Sequence, residues 1–373
     1  MLEAQKLLNA GYKLILPKRQ SIQTECEKED TLDYYSQFSS RAKKFTPPDV
    51  LESIPNQRVL VIGTGGVGSN ALLALLQQGF GRRYTPDGKE ANGIIVYADD
   101  DIMKKSDGAK MAGFSYCEIG KPKVEVMAKM IEHYDPFARF IGIQALLNAS
   151  NFEEILDKVQ PDYIIEAADG PSKLLIHKTA FEYSQRRRAE NTKDGNNTNQ
   201  GVVVISPTDL YDKVAITWTD YRLITTQIMN GNIPDDLYSK LISIAENKTL
   251  VDQLTQEESK VFTTFIFHFL KKSDIPAPMI YAFLGMLKEP KDKQHYPQSP
   301  WATGIVGQLI TGAIIRYMSG LPMRLRGIGS ISTAFTPQKD IDFHDKVSQP
   351  EALEILRETL SKFGIDIGTD ITA

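Results

Sequence analysis

Val59-Leu60-Val61-Ile62-Gly63-Thr64-Gly65-Gly66-Val67-Gly68-Ser69 is the stretch that decides the fold of this chain. Its first four residues are apolar and predict a buried strand, and the glycine-rich turn leads into a leucine-rich segment, Asn70 to Gly79, that predicts a buried helix. Glycines at such a turn let the backbone approach a phosphate, and a helix N-terminus offers free N–H groups. The stretch therefore predicts a nucleotide site, the alternative being a turn used only for tight strand–helix packing.

A second strand-like run, Val96-Tyr97-Ala98-Asp99-Asp100-Asp101, ends in acids. An acid in this place can bind ribose hydroxyls. Strand-like and helix-like segments alternate from 58 to 180, which predicts an α/β, Rossmann-like, mostly parallel sheet with helices on both faces. The expected strands are Arg58–Ile62, Gly93–Ala98, Arg139–Gln144 and Tyr163–Ala167, and the expected helices are Ser69–Gln78, Lys121–His133, Asn151–Lys158 and Ser172–Ser184.

The later part of the chain mixes polar, strand-like and helical segments. Residues 185–200 are polar and turn-rich, so we expect a mobile surface loop there. Residues 221–289 have helical patterns, and Trp301–Met318 is an apolar helix whose small residues allow close packing. The other expected elements are strands at Val202–Ser206 and Lys213–Thr219 joined by a turn at Pro207-Thr208-Asp209, helices at Leu223–Met229, Asp236–Asn247 and Gln256–Lys271, a strand in Arg324–Phe335 and a terminal helix at Gln349–Phe363.

Composition limits the class of protein. The chain has 373 residues, 42% of them hydrophobic, and 43 basic against 47 acidic residues give a net charge of −4. This supports a large core and gives no electrostatic case for nucleic acid as a general partner. No apolar run reaches the roughly 18 residues that a membrane span needs, and Met1 to Lys18 lacks the apolar core of a secretion signal. We therefore expect a soluble, cytoplasmic protein.

Cysteine is scarce, since Cys26 and Cys117 are the only two. Isolated cysteines argue against a disulfide framework, and a structural zinc site would need Cys-x-x-Cys pairs, so we expect no zinc. Cys117 is interpreted as a small apolar packing residue. The histidines are scattered without metal-binding spacing and are interpreted as structural.

Further motifs follow the acidic strand end in a fixed order. They are Ser106-Asp107-Gly108-Ala109-Lys110-Met111, Gly120-Lys121-Pro122-Lys123, the strand end Glu166-Ala167-Ala168-Asp169, and the apolar segment Pro300 to Gly320. This order resembles the adenylating family of ThiF, MoeB and the ubiquitin-activating enzymes. That family has a Gly-x-Gly-Gly-x-Gly-Ser loop, a strand ending Asp-x-Asp, a Ser-Asn-Leu-x-Arg-Gln segment, then Gly-x-x-Lys and a strand ending Thr-Asp. The resemblance runs from Arg58 to Leu321, broken at 186–200 and 221–299.

The resemblance implies ATP and Mg²⁺ as cofactors and attack of a carboxylate on the α-phosphate of ATP. The product would be a mixed anhydride with AMP. A carboxylate is already ionised near neutral pH, so the site must neutralise phosphate charge and align the reactants rather than supply a base. The implied roles are nucleotide contact for Gly63, Gly65, Gly66 and Gly68, ribose binding for Asp99 with Asp101 beside it or capping the next turn, phosphate contact for Lys123, and Mg²⁺ binding for Asp169.

Each role has a simpler alternative, and two positions depart from the family. Without the resemblance, Lys123 would be a solvated helix lysine, Asp169 a helix N-cap and Asp99 part of a solvated turn. Lys110 stands where the family has arginine, which keeps the charge but loses the bidentate fork. Asp107 replaces a neutral asparagine. Some family members draw an arginine from the dimer partner, and Arg41 is the nearest candidate here.

The resemblance also implies partners and a division of the chain. Residues 118–373 lack cysteine, so we expect transfer of the acyl-adenylate directly to a nucleophile, without a thioester. We expect a homodimer and a peptide or small-protein substrate, as in the branch resembling microcin C and pantocin biosynthesis enzymes. The expected parts are an N-terminal extension (1–57), an ATP-binding adenylation domain (58–220), a helical insertion that is a candidate substrate-binding region (221–299) and a C-terminal part completing the adenylation domain (300–373).

Three other functions stay open at this point. The first is MoeB- or ThiF-like activation of a ubiquitin-like sulfur carrier at its C-terminus. The second is a non-catalytic relative that acts as a binding subunit, which the lysine at position 110 favours. The third is an NAD-dependent oxidoreductase, against which the missing catalytic histidine or Tyr-x-x-x-Lys set counts.

Overall fold

The computed structural model describes residues 2–18, 25–39, 46–194, 201–210, 213–223, 225–231, 233–247, 254–269, 300–321 and 326–330, with 354, 357, 358 and 361. In these ranges the helices are α1 Leu2–Asn9, α2 Glu25–Ser39, α3 Pro48–Ser53, α4 Gly66–Gln78, α5 Lys123–Tyr134, α6 Ala149–Val159, α7 Ser172–Asp194, α8 Asp235–Asn247, α9 Gln256–Phe269 and α10 Pro300–Met318. The strands are β1 Leu14–Ile15, β2 Arg58–Ile62, β3 Ile94–Ala98, β4 Phe140–Ile143, β5 Tyr163–Glu166, β6 Val203–Leu210, β7 Lys213–Asp220 and β8 Arg326–Ser330. Short 3-10 turns lie at Ile54–Asn56, Lys105–Ala109, Tyr116–Glu118 and Ile228–Gly231.

The described strands form one sheet in the order β1-β4-β3-β2-β5-β6-β7-β8. From β4 to β6 all neighbours are parallel, whereas β1 at one end and β7 and β8 at the other pair antiparallel. This confirms the predicted Rossmann-like α/β fold. Strand β1 shows that the N-terminal segment contributes an edge strand to the same sheet.

The central strands are apolar on both faces because helices cover both. Val59 and Val61 of β2 belong to the core shared with α4, α5 and α10. Leu60 and Ile62 belong to the core on the other face, shared with α1, α6 and α7. Alternate residues of a strand point to opposite faces, so an apolar run without alternation is what a sheet buried on both sides requires.

Strand β2 is the point where the strand order reverses, since its neighbours are β3 on one side and β5 on the other. In open α/β sheets a crevice forms at the carboxyl ends of the strands beside such a reversal, and ligands bind there. The residues that follow β2, β3 and β5 are therefore placed around one crevice.

The turn predicted at Pro207-Thr208-Asp209 is wrong. These residues lie within β6, where Pro207 pairs with Ile216 of β7. Strand β5 pairs only with Val203–Ile205 of β6. Beyond Ile205 no described strand lies on the other side of β6, so the missing N–H of proline costs no ladder hydrogen bond.

The prediction of a loop from residue 185 is also wrong as far as residue 194, because α7 continues to Asp194. Arg186 pairs with Glu153 and Asp157 of α6, and the Arg188 guanidinium donates to the carbonyl oxygen of Tyr221. These contacts hold a polar sequence in a helix. Residues 195–200 lie outside the described residues.

The helix predicted at Leu223–Met229 is replaced by turns and a 3-10 segment. Met229 and Asn230 have φ values of +48° and +60°, which end any helix there. The Tyr221 hydroxyl accepts the Met229 N–H at 3.0 Å, and the Asn230 side-chain amide donates to the Trp218 carbonyl oxygen at 3.1 Å. Side chains near the end of β7 thus hold the conformation.

The remaining predicted helices and strands are confirmed in their described parts, with small shifts at their ends. The terminal helix expected at Gln349–Phe363 lies largely outside the described residues. Among the helices that the structure describes, none combines the length and apolar character needed to cross a membrane.

Candidate nucleotide-binding site

The glycine loop, residues 63–68, connects β2 to α4 at the carboxyl end of the sheet. Gly63 has a φ of +82°, and a β-carbon there would lie 2.8 Å from the carbonyl oxygen of Ala167, in the loop after β5. A β-carbon on Gly68 would lie 1.9 Å from the carbonyl oxygen of Gly63. Both positions require glycine because any side chain would collide with the backbone of the site itself.

Gly65 and Gly66 have different surroundings. A β-carbon on Gly66 would lie 3.0 Å from Cγ2 of Thr303 in α10, whereas one on Gly65 would have no described atom within 4 Å. Gly65 precedes the first turn of α4, and no side-chain hydrogen bond caps that turn. The open space beside Gly65 and the first-turn N–H groups together fit a phosphate held at a helix N-terminus.

Asp99 follows β3 and is tied to the glycine loop. Its Oδ2 atom accepts hydrogen bonds from the backbone N–H of Thr64 at 2.6 Å and from the Thr64 hydroxyl at 2.8 Å. Its Oδ1 atom accepts the Asp101 N–H at 2.8 Å. A carboxylate has about four acceptor positions, so one position remains for a ribose hydroxyl. Asp99 is therefore part of the crevice rather than of a solvated turn.

Lys123, the first residue of α5, is a buried cation beside these acids. Its Nζ atom lies 2.8 Å from Oδ2 of Asp101, and only 7% of the residue is exposed. Burial acts to lower the pKa of the Lys123 ammonium, but Asp99 and Asp101 outweigh it and raise that pKa. Burial acts to raise the pKa of Asp101. The hydrogen bond from Lys123 outweighs burial and lowers that pKa. Lys123 is thus not the solvated surface lysine of the alternative interpretation.

Lys110 lies against the first turn of α4. A β-carbon on Gly66 would be 3.3 Å from its side chain, and its carbonyl oxygen accepts from the Asn70 side-chain amide at 2.9 Å. Asp107 is buried, accepts the Lys104 N–H at 2.8 Å and lies 4.0 Å from the Lys110 ammonium. Asp107, the acid that replaces the family asparagine, therefore stabilises the turn in which it lies and is close to a positive charge.

Asp169 lies in the loop after β5 and is exposed. Gly170 beside it has a φ of +84°, and the Ser172 hydroxyl donates to the Asp169 carbonyl oxygen at 3.0 Å. No described residue makes a hydrogen bond or ion pair with the Asp169 carboxylate, so the N-cap alternative has no support. A carboxylate held on a fixed loop and open to solvent can ligate a cation.

The donor set fits a nucleoside triphosphate with Mg²⁺. No group of three or more histidine, cysteine, aspartate or glutamate side chains able to hold a metal occurs among the described residues. Mg²⁺ typically binds through one or two carboxylates and completes its shell with phosphate oxygens and water. Asp169, in the loop that contacts the glycine loop, matches that pattern.

Arg41 cannot be placed at this site, because it lies outside the described residues. The Tyr34 hydroxyl of α2 donates to the carbonyl oxygen of Tyr134, the last residue of α5, at 2.9 Å. That position is about 16 Å along α5 from Lys123, at 1.5 Å per helical residue. The described part of α2 therefore contacts the end of α5 that is remote from the candidate site.

Cys117 is exposed, and its Sγ atom lies 3.0 Å from the Ser115 hydroxyl. It belongs to a 3-10 turn at the surface, Tyr116–Glu118. The interpretation of Cys117 as an apolar packing residue is therefore wrong.

A model of the ThiF family matches residues 38–329, which is more than half of the chain. The chain belongs to the ThiF family. It is 29% identical over 119 residues to the tRNA threonylcarbamoyladenosine dehydratase of Bacillus subtilis, covering 32% of this chain and 42% of that protein. It is 25% identical over 123 residues to the SAMP-activating enzyme E1 of Haloferax volcanii, covering 33% and 40%. The chain thus spans less than half the length of these curated relatives, and the matches confirm the family resemblance.

Solved structures are also similar to this ThiF-family chain. PaaA has a TM-score of 0.46 at 15% identity, covering 84% of this chain and 72% of that chain. The Escherichia coli protein MccB with ATP has a TM-score of 0.43 at 14% identity, covering 80% and 70%.

Sequence reasoning assigned no role to a charged pair at the end of β5. Glu166 is fully buried and accepts from the Lys173 ammonium at 2.6 Å and from the Ala168 N–H at 3.1 Å. Burial raises the pKa of Glu166 to about 7, although Lys173 acts to lower it. The signal in the sequence is an acid that ends an otherwise apolar strand, directly before the loop that carries Asp169.

Proposed function

We propose that the chain is an ATP-dependent adenylating enzyme that activates a carboxylate of a peptide or small protein. One observation carries the proposal. The open turn at Gly65, the Asp99 carboxylate and the buried Lys123 ammonium meet at the carboxyl ends of neighbouring parallel strands in a ThiF-family chain. Ligands of open α/β sheets bind at such ends.

In the proposed reaction, a carboxylate oxygen of the substrate attacks the α-phosphorus of ATP. An oxygen–phosphorus bond forms, the bond from the α-phosphorus to the bridging oxygen breaks, and pyrophosphate leaves with that oxygen and its electron pair. The attacking carboxylate is ionised near neutral pH, so no base has to remove a proton. The enzyme's contribution is alignment and neutralisation of phosphate charge.

The residues would divide this work. Asp99 would accept a ribose hydroxyl, Lys123 and Lys110 would offset phosphate charge, and Asp169 would hold Mg²⁺, which supplies further charge neutralisation. Lys123 is held in place by Asp101 at 2.8 Å. Lys110 offers a point charge where the family arginine offers a planar fork, so alignment of the phosphates depends more on the glycine loop.

A peptide or small-protein substrate has support from two directions. One relative is named as a SAMP-activating enzyme, and SAMP is a small protein. Helix α8 of the helical insertion packs on α7, as the ion pair of Glu246 with Lys178 shows, and the insertion would supply a substrate surface. The peptide-tailoring subtype, direct transfer without a thioester and the homodimer with Arg41 acting across it belong to the same proposal.

A second candidate is the dehydration of threonylcarbamoyladenosine in tRNA, because several curated relatives carry that name. It too would begin with adenylation of a carboxylate. A tRNA-binding surface needs clustered unpaired cations. Arg186, Arg222 and Arg139 are each paired with acids and so do not supply such a cluster, and the net charge of −4 gives no general attraction to nucleic acid.

Exchange of labelled pyrophosphate into ATP tests the proposal. We expect exchange that depends on a peptide or small protein with a free C-terminus and not on tRNA. Lys123→Met should reduce the exchange about 100-fold or more. Lys129→Met is the matched control, because Lys129 lies on the same helix but pairs with Glu118 at the surface. Exchange driven only by tRNA would support the second candidate, and ATP binding without any exchange would support a non-catalytic subunit.

A further inference from the structure

A chain of buried polar side chains leads from the candidate site into the opposite face of the sheet. Its members are fully buried and come from β5, α7, β6 and the end of β7. They are Glu166, His177, Ser206 and Tyr221. His177 lies 2.8 Å from the Ser206 hydroxyl through Nε2 and 2.8 Å from the Tyr221 hydroxyl through Nδ1. Ser206 is also the neighbour of Glu166 across the sheet, since β5 and β6 pair in parallel with Ile165 opposite Ile205, and Ser206 acts to lower the pKa of Glu166.

Each end of the chain is tied to backbone. At one end, Glu166 accepts the N–H of Ala168, which precedes Asp169. At the other end, the Tyr221 hydroxyl accepts the N–H of Met229 at 3.0 Å. Met229 has a left-handed backbone conformation and lies in the 3-10 segment Ile228–Gly231, between β7 and α8, the first described α-helix of the helical insertion. The chain therefore connects the Asp169 loop with the start of the insertion.

The hydrogen bonds have one direction. The Tyr221 oxygen accepts from Met229, so its single proton is donated to Nδ1 of His177. Nδ1 is then an acceptor, and burial lowers the pKa of His177 to about 3, so the neutral ring carries its proton on Nε2 and donates to Ser206. The Ser206 hydroxyl, which accepts from Nε2, can in turn direct its own proton to the neighbouring Glu166 carboxylate. All donors thus point toward Glu166.

Such a chain responds as a unit. If the donor order were reversed, the Tyr221 proton would have no acceptor among these groups, because the Met229 N–H still points at its oxygen. Hydrogen bonds in series also polarise one another in a low-dielectric interior. A shift of the Glu166 carboxylate would therefore change the hydrogen bonds that follow it toward Met229.

We propose that this buried chain couples MgATP binding at the Asp169 loop to the start of the helical insertion, with Glu166 as the positioning residue at the nucleotide end. The inference rests on the proposed function, because it takes Asp169 as the cation ligand. Engagement of Asp169 would fix the backbone at Ala168 and thereby the Glu166 carboxylate. Coupling is reciprocal, so a substrate held by the insertion would in turn tighten MgATP binding.

Amide hydrogen exchange with and without saturating MgATP tests the coupling, together with calorimetric MgATP binding. In the wild-type chain we expect exchange at residues 228–231 to slow about fivefold or more on binding. Tyr221→Phe removes one hydroxyl and should abolish that slowing while MgATP still binds. Tyr183→Phe is the control, since Tyr183 is a buried tyrosine of α7 that is outside the chain of polar side chains. Ser206→Ala breaks the chain on the other side of His177 and should act like Tyr221→Phe.

The outcomes separate the two proposals. Absence of MgATP binding by the wild-type chain would overturn both. Binding without slower exchange at 228–231, or slowing that persists in both Tyr221→Phe and Ser206→Ala, would overturn the coupling alone. Loss of the slowing in Tyr183→Phe as well would show a general packing effect and would also overturn it.

Discussion

The candidate nucleotide site at the carboxyl edge of the sheet, called here the nucleotide edge, and the buried chain are two polar regions of one sheet. They are built in opposite ways. The edge is made of short runs of sequence, residues 63–68 and 99–101, that follow consecutive strands and use backbone groups as much as side chains. The buried chain takes single side chains from four elements between Glu166 and Tyr221. Regions of the first kind are visible as motifs, whereas regions of the second kind appear only after the layers are assembled.

The difference has a physical origin. A phosphate site needs positive φ angles and close backbone approach, which restrict neighbouring residues to glycine. A buried network needs only that every donor meets an acceptor. His177 meets that requirement through partners 29 and 44 residues away in the sequence, and no spacing rule marks them.

The glycine loop offers the largest expected effect. Gly68→Ala would place a β-carbon 1.9 Å from the Gly63 carbonyl oxygen, so we expect a loss of about 4 kcal/mol or more in the free energy of unfolding. Gly65→Ala meets no described atom within 4 Å and should leave that free energy unchanged while weakening ATP binding. Urea unfolding and calorimetry measure the two quantities. Equal unfolding midpoints for both variants would contradict this account of the loop.

The nucleotide edge and the rest of the fold show how much of the molecule the sequence could predict. The parallel order, the crevice and the placement of Asp99, Lys123 and Asp169 around it follow from strand–turn–helix motifs and the family resemblance. The extent of α7 and the course of β6 through Pro207 did not follow, because ion pairs with the neighbouring helix α6 and the lack of a described strand beside the end of β6 decide them. The local composition of the sequence does not indicate the extent of α7 or the course of β6.

Asp169 offers the next largest effect. Asp169→Asn keeps the shape of the side chain but removes the charge that would hold Mg²⁺, so pyrophosphate exchange should fall about 1000-fold. The carboxylate has no described partner, and the thermal midpoint should therefore stay within about 2 °C, as for surface substitutions. Glu52→Gln, which alters an exposed acid on α3, is the control. A folded Asp169→Asn protein with near-normal exchange would remove Asp169 from the site.

Lys110 tests whether this segment retains its family role. Lys110→Ala should reduce exchange by roughly tenfold to 100-fold because one phosphate-facing charge is lost, and Lys110→Arg should retain or improve the rate by restoring the fork. Lys105→Ala, which alters an exposed lysine of the same segment, is the control. Full activity of the alanine variant at position 110 would mean that the segment no longer contacts phosphate.

The smallest effect concerns the pH dependence of stability in the buried chain. The pKa of Glu166 is raised from 4.5 to about 7, so the folded chain holds this proton more tightly than the unfolded chain. Between those pH values the Glu166 contribution to the free energy of unfolding falls as pH rises. The pKa of His177 is lowered from 6.5 to about 3, so between those two pH values the His177 contribution to the free energy of unfolding rises with pH. From pH 4.5 to 6.5 the two oppose each other.

Single variants should separate the two contributions. Relative to Glu166→Gln, the wild-type chain should lose up to about 1.4 kcal/mol of unfolding free energy per pH unit as pH rises through the Glu166 window. Relative to His177→Gln, it should gain stability with rising pH by a similar slope through the His177 window. Urea unfolding from pH 4 to pH 8 measures both differences. Differences that do not vary with pH would show that the two groups titrate alike in the folded and unfolded chains and would contradict both pKa shifts.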